Sequence, residues 1–139
     1  MEYILDVDLT DEKELLRLVH NHIKTQGAEL DYKDFEEKFY DREERGSTYM
    51  GNNIALPHIE SIKLHKTGIV LVRLNNYLTW TGGEKVKFLF FILIRDLVKD
   101  QDKISKIQKI VINLDDDILL NSLREGEECD IEKNIRRIV

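Results

Sequence analysis

The sequence predicts an α/β fold, in which a mixed β-sheet is flanked by helices within a single domain. The chain has 139 residues, and domains usually contain roughly 100–200 residues. Its middle part carries β-branched and wholly apolar segments, whereas the segments before and after it repeat apolar residues at helical spacing. Because no long helix separates every pair of strands, a mixed sheet is favoured over a parallel one.

The first part of the chain predicts a short strand followed by two amphipathic helices. Residues 3–7 are strand-like, and Thr10 is the expected N-cap of a helix that ends at Gly27. A second helix is expected to begin near Asp31 and to end before Gly46. Both helices have apolar faces that need a sheet to cover them.

The middle of the chain predicts the strands. Residues 54–56 form a short apolar segment, and residues 67–74 are rich in β-branched residues. Residues 86–94 become wholly apolar, which is typical of a central strand that is buried on both faces. Turn signals at Asn75-Asn76 and Gly82-Gly83 are expected to bracket a short edge segment.

The last part of the chain predicts three helices. The first runs from Ile104 to Leu114, where apolar residues recur at strongly helical spacing. Residues 115–124, followed by Gly126, and residues 130–138 indicate two shorter helices. Together with the first two helices, they are expected to cover the sheet.

Composition favours a folded domain of the reducing cytoplasm. Hydrophobic residues make up 42% of the chain and charged residues 35%, unlike a disordered chain. The formal net charge of -6 argues against direct binding to nucleic acid. A single cysteine, Cys129, excludes an internal disulfide and a multi-cysteine zinc site. Residues 1–9 lack a signal-peptide pattern, and residues 88–94 are too few to span a membrane. We therefore expect no export and no membrane contact.

The segment whose side chains could form a reactive site surrounds the only proline, Pro57. Proline lacks an N–H and ends ladder pairing, so the strand at residues 54–56 should stop there and present His58 at the rim of the sheet. Upstream, residues 42–48 combine guanidinium, hydroxyl and turn amides, which can hold an anion against an imidazole. A histidine in a surface turn, without a chemical role, is the alternative.

This segment resembles the signature of mannitol/fructose-type (type 2) enzyme IIA domains of the bacterial phosphoenolpyruvate-dependent sugar phosphotransferase system. The matching residues are Arg42-Glu43, Ser47-Thr48, Gly51 and Ile54-Ala55-Leu56-Pro57-His58. The similarity covers nearly the whole chain, including residues 66–70, 86–94 and 104–116. The resemblance implies a mixed sheet flanked by helices, phosphorylation of His58 by the carrier protein HPr, and transfer to a cysteine on enzyme IIB.

The resemblance also suggests roles for the residues near His58. Arg42 is expected to stabilise the phosphoryl oxygens, with the Thr48 hydroxyl as a weaker donor. The ring nitrogen that does not attack should be held by a backbone carbonyl or by a carboxylate, for which Glu43 and Glu60 are candidates. No metal or other cofactor is required, because donor and acceptor are both protein side chains. His65 is expected in a solvated loop, with a place near His58 as the alternative.

One position departs from the family pattern. Many sugar-transporting members have a second histidine at the start of the late helix, and the matching residue here is Lys103. Lysine cannot act as the same neutral partner, which favours a regulatory domain of a transcriptional antiterminator or activator over a free carrier. A free carrier would be a protein-histidine phosphotransferase in sugar transport, and a regulatory domain would not be an enzyme. A third hypothesis is an interaction domain that never carries phosphate.

Overall fold

The computed structural model describes residues 1–139 and has three layers, with one six-stranded sheet between two groups of helices. The elements are β1 (Glu2–Val7), α1 (Glu12–Thr25), α2 (Tyr32–Glu44), β2 (Tyr49–Gly51), β3 (Ile54–Ala55), β4 (His58–Glu60), β5 (Gly68–Thr79), β6 (Lys85–Ile94), α3 (Gln101–Ile112), α4 (Asp117–Glu125) and α5 (Glu128–Ile138). None of the helices is long and apolar enough to cross a bilayer.

The sheet is mixed, as the sequence predicts. Its strand order is β1-β5-β6-β3-β2, and β4 also pairs with β6. The pairs β1–β5, β3–β6 and β4–β6 are parallel, whereas β5–β6 and β2–β3 are antiparallel. Strand β6 is therefore paired along both edges, which explains its almost wholly apolar sequence.

Two apolar layers cover the two faces of this sheet. One contains Leu15 of α1, Phe35 of α2 and Phe91 of β6. The other contains Phe90 of β6 together with residues of α3, α4 and α5, including Leu119. Because successive side chains of a strand point to opposite faces, Phe90 and Phe91 enter different layers. The single domain thus has a core on each side of its sheet.

The helix termini agree with the sequence patterns to within a residue or two. Asp11, and not the expected Thr10, is the N-cap of α1, since its carboxylate accepts the Glu14 N–H at 2.8 Å. Thr10 instead bonds the Glu14 side chain. Asp31 caps α2 as predicted, and Gly27 adopts a φ of +108° after α1, a conformation that favours glycine.

The prediction of a turn at Asn75-Asn76 is wrong, because β5 continues through these residues to Thr79. The amide side chains bind the segment after β1 instead of turning the chain. Asn76 accepts the Leu9 N–H and donates to the Leu9 carbonyl, and Asn75 donates to the Asp6 carbonyl. As a result, the register of β5 against β6 is irregular between Arg73 and Leu78.

Pro57 does not end the pairing, contrary to the prediction. β3 and β4 pair in turn with the same edge of β6, as Ala55 opposite Leu89 and His58 opposite Ile92. Between them the Pro57 carbonyl accepts the Ile92 N–H at 2.8 Å. Proline retains its carbonyl, so the ladder continues on this side. His58 still lies at a sheet edge, because β4 pairs only with β6.

Candidate functional site

His58 opens β4 and borders a cavity of about 350 Å³ between β4 and α2. The polar side chains around this cavity are Lys38, Asp41, Arg42, Arg45, His58 and Glu60. The imidazole is half-buried. Arg42 and His58, which the sequence pairs as anion-stabilising group and phosphoacceptor, both line this one cavity.

The cavity is cationic because of the sequence of α2. Lys38, Asp41, Arg42 and Arg45 follow a spacing that places them along one side of the helix. Arg42 donates from Nη1 to the Gly46 carbonyl at 2.8 Å, which holds its guanidinium at the helix C-terminus, where cations are favoured. Three cations outnumber the carboxylates of Asp41 and Glu60. The arrangement suits an anion.

The two nitrogens of His58 have different surroundings. Nδ1 is buried and has no hydrogen-bond partner, whereas Nε2 is open to solvent and engaged by no protein group. Burial lowers the pKa of His58, and the Arg42 guanidinium lowers it further. The Leu56 backbone and the Glu43 carboxylate oppose this shift. The ring is therefore mostly neutral at pH 7, as a nucleophile must be.

Glu43 and Thr48 interact with each other and not with His58. The buried Glu43 carboxylate accepts the Thr48 hydroxyl at 2.7 Å and the Thr48 N–H at 3.2 Å. It also accepts the indole N–H of Trp80 at 2.9 Å. Neither Glu43 nor Thr48 lines the cavity. Glu43 therefore does not hold the ring nitrogen, and the Thr48 hydroxyl is already committed to a carboxylate.

Trp80 is a hydrogen-bond partner of Glu43 that the sequence did not predict. It packs edge-on against Phe39 with ring centroids 5.5 Å apart. Its bond to Glu43 joins positions 37 residues apart in the chain. No spacing rule connects such residues, so the sequence carried no signal for this contact.

Glu60 and Lys103 have separate positions. Glu60 lines the cavity, but it forms no hydrogen bond with His58. Lys103 lines a different cavity of about 300 Å³, where α3 and α5 meet the start of β5. The α3 side chains that share a groove with His58 include Ile104 and Gln108. Lys103, which occupies the position of the family's second histidine, therefore lines a cavity to which His58 does not contribute.

His58 also borders an apolar groove of about 230 Å³. Its walls are Ile92 and Ile94 of β6 and, from α3, Ile104, Ile107, Val111 and Ile112. Ile112 is 75% exposed. His58 thus lies between a cationic cavity and an apolar groove.

His65 is neither in a solvated loop nor a partner of His58, so both expectations are wrong. Its side chain is only 8% exposed, and its Nε2 lies 2.9 Å from a Glu2 carboxylate oxygen. The same carboxylate pairs with His22 at 2.6 Å and Lys66 at 3.1 Å. Burial raises the pKa of Glu2, but its hydrogen bonds with His65, Lys66 and His22 outweigh this and lower it to about 2.

The fold is shared with solved structures of the phosphotransferase system. Nitrogen regulatory protein IIA-Ntr from Neisseria meningitidis aligns with a TM-score of 0.75 at 18% identity, covering 99% of this chain and 93% of that one. IIA mannitol from Escherichia coli aligns with a TM-score of 0.71 at 20% identity, covering 96% and 95%. The same E. coli protein in complex with phosphorylated enzyme IIB mannitol gives 0.72 at 18% identity, covering 98% and 94%.

Sequence comparison leads to the same group of proteins. The mannitol-specific EIICBA component of the phosphotransferase system from Buchnera aphidicola subsp. Acyrthosiphon pisum (strain APS) is 30% identical over 116 residues. This match covers 81% of the chain and only 18% of that much longer relative. Residues 2–137 match the family described as "Phosphoenolpyruvate-dependent sugar phosphotransferase system, EIIA 2". The chain belongs to this EIIA type 2 family.

Proposed function

We propose that this domain carries a phosphoryl group on Nε2 of His58, received from phospho-HPr. The observation that carries the proposal is an imidazole with an unengaged Nε2 beside a cavity that three cations line. A buried ring with a lowered pKa is neutral at pH 7 and needs no further activation. The family membership supports the same chemistry.

The proposed step exchanges one N–P bond for another. The lone pair on Nε2 attacks phosphorus in line with the N–P bond of the donor histidine. As the new bond forms, the donor bond breaks and its electron pair returns to the donor ring. Nδ1 of His58 keeps its proton throughout, so no net proton transfer between the two rings is needed.

Arg42 is the group that we assign to the developing charge. Phosphoryl transfer is accelerated mainly by positioning and by cations near the equatorial oxygens. Arg42 is preorganised by its bond to the Gly46 carbonyl, and Arg45 and Lys38 add positive charge on the same helix side. Thr48 has a weaker claim as a donor, because its hydroxyl bonds Glu43.

The apolar groove next to His58 supports docking of a protein donor or acceptor. Its isoleucine and valine side chains adjoin the same histidine that borders the cationic cavity. A partner with an apolar patch would bury this groove while its phosphorylated or accepting group enters the cavity. Because the IIA mannitol structure is solved with phosphorylated enzyme IIB, an enzyme IIB is the partner that we propose for onward transfer.

A second version of the function is a regulatory signal within a transcriptional antiterminator or activator. A phosphorylated ring carries nearly two negative charges by analogy with other phosphorylated side chains, so a neighbouring domain can detect it. The α3 side chains that share the groove with His58 include Ile104 and Gln108 and no second histidine. This favours slow onward transfer and hence the regulatory version.

Intact-mass measurement tests the proposal. The protein is incubated with phosphoenolpyruvate, enzyme I and HPr, in the native form and as His58→Ala. We expect an acid-labile gain of one phosphoryl group on the native protein and none on the variant. No gain on the native protein would favour the third hypothesis, an interaction domain that keeps the fold without carrying phosphate. Addition of candidate enzyme IIB proteins then separates the carrier from the regulator.

A further inference from the structure

We infer that Trp80 is a positioning residue for the phosphoacceptor site, acting through Glu43 and Thr48. This inference rests on the proposed function of His58 and extends it to a residue outside the segment of residues 42–58. Trp80 is the only tryptophan in the chain, it follows β5 directly, and it is 2% exposed.

A continuous series of hydrogen bonds leads from the indole to Leu56, in the short link between β3 and β4 that precedes His58. Trp80 Nε1–H donates to Glu43 Oε1 at 2.9 Å, and the Thr48 hydroxyl donates to Glu43 Oε2 at 2.7 Å. The Thr48 carbonyl in turn accepts the Leu56 N–H at 3.0 Å. Leu56 lies only two residues before His58 in the chain. A shift at Glu43 would therefore displace the backbone that leads into His58.

The bond to Trp80 also controls where the negative charge of Glu43 lies. Glu43 follows Arg42 on α2, and it is buried with three hydrogen-bond donors and no cationic partner in contact. Two of those donors come from Thr48 and the third is the indole. A carboxylate that turned toward His58 would oppose the incoming phosphoryl oxygens and compete for Arg42. The indole N–H holds the carboxylate on the far side, outside the cavity.

The position of the indole is set by tertiary structure. The turn between β5 and β6 is closed by the Trp80 N–H, which donates to the Glu84 carbonyl at 2.8 Å, and by Gly83, which donates to the Trp80 carbonyl at 2.9 Å. The ring then packs edge-on against Phe39 of α2. The backbone hydrogen bonds of the hairpin end thus place the N–H group against Glu43, and the Phe39 contact adds packing.

The test is Trp80→Phe, which retains an aromatic ring next to Phe39 and deletes the N–H. Phosphoramidate serves as a small donor that needs no protein docking, and phospho-HPr serves as the protein donor. We expect phosphorylation of His58 to slow by roughly tenfold with both donors, as for displaced catalytic groups. We also expect the His58 pKa, followed by NMR titration, to rise, because Glu43 loses a donor that neutralises its charge.

Phe39→Leu is the matched control. It loosens the packing of the same indole but leaves the Trp80–Glu43 bond, so a purely structural role would slow phosphorylation as much as Trp80→Phe does. We expect Phe39→Leu to reduce stability and to leave the rate and the His58 pKa near native values. In a Glu43→Gln background, Trp80→Phe should have little further effect, because its target charge is gone.

Two results would overturn the inference: native rate and native His58 pKa in Trp80→Phe, or equal losses in Trp80→Phe and Phe39→Leu. Failure of the proposed function looks different, since the native protein would then gain no phosphoryl group from either donor. In that case the NMR titration decides the inference by itself, through the presence or absence of the pKa rise in Trp80→Phe.

Discussion

His58 and His65 are alike in one respect and opposite in another. Each has a buried Nδ1 without a hydrogen-bond partner. The Nε2 of His65 is paired with the Glu2 carboxylate at 2.9 Å, whereas the Nε2 of His58 is open beside a cationic cavity. A nitrogen that donates a hydrogen to a carboxylate has no lone pair for attack. The comparison teaches that a free Nε2, and not burial, distinguishes a phosphoacceptor histidine from a structural one.

Removal of each histidine gives the largest contrast. His58→Ala is expected to abolish acid-labile phosphorylation, while His65→Ala should remain phosphorylated and lose stability, because Glu2 loses a partner. Intact mass and denaturant unfolding measure the two effects. Phosphate that persists on His58→Ala and disappears from His65→Ala would reverse the assignment.

Replacement of Arg42 tests the cationic cavity beside His58. Arg42→Gln should slow phosphorylation of His58 by roughly 100-fold, the loss usual for one preorganised charge-stabilising donor. Lys38→Gln is the control on the same helix side and should have a smaller effect, since Lys38 has no comparable anchor to the backbone. Rates with phosphoramidate measure both, and an unchanged rate in Arg42→Gln would contradict its role.

The Glu2 cluster should affect stability and not phosphorylation. The pKa of Glu2 falls from an ordinary value of 4.5 to about 2 in the fold. Its stabilising contribution is therefore fully present above pH 4.5 and is lost as pH falls toward 2. Glu2→Gln should lower the free energy of unfolding by about 2 kcal/mol at pH 7, less than the full pKa shift implies because solvent screens this partly exposed group, with a difference that shrinks in acid. Urea unfolding at several pH values checks this, with the phosphorylation rate as control.

The pH dependence of His58 should follow from its lowered pKa. The unfolded chain binds a proton near the ordinary histidine pKa of about 6.5, and the folded site binds it only at lower pH. The stability contribution of neutral His58 is thus complete above that value and declines as pH falls toward the folded pKa. NMR titration should place the midpoint for His58 below about 6.5; a midpoint above it would contradict the burial effect.

The smallest expected effect belongs to Lys103. Because it lines a cavity apart from His58, Lys103→Ala should leave the phosphorylation rate within about twofold of native, as for surface changes away from the site. Gln108→Ala is the informative comparison, since Gln108 shares a groove with His58. A strong loss in Lys103→Ala alone would restore the family-based role of that position.

Much of the fold was predictable because it depends on local patterns. The apolar run of β6 predicts a central strand, and Asp31 predicts the start of α2. The Arg42 and His58 positions were likewise predictable from one short segment. The Asn75-Asn76 signal failed because amide side chains that often make turns found partners in the segment after β1. Strands β2 and β4 were missed, since three residues each carry too little periodicity.

The sequence by itself therefore determined the α/β class, the order of most elements and the residues that we propose bear the chemistry. Tertiary structure decided which histidine nitrogen lacks a protein partner, that Glu43 binds Trp80 and not His58, and that Lys103 lines a different cavity from His58. The physical reason is the sequence separation over which each kind of interaction acts. Helical and strand periodicity arises among near neighbours, whereas hydrogen-bond partners and side-chain direction depend on how distant segments cross.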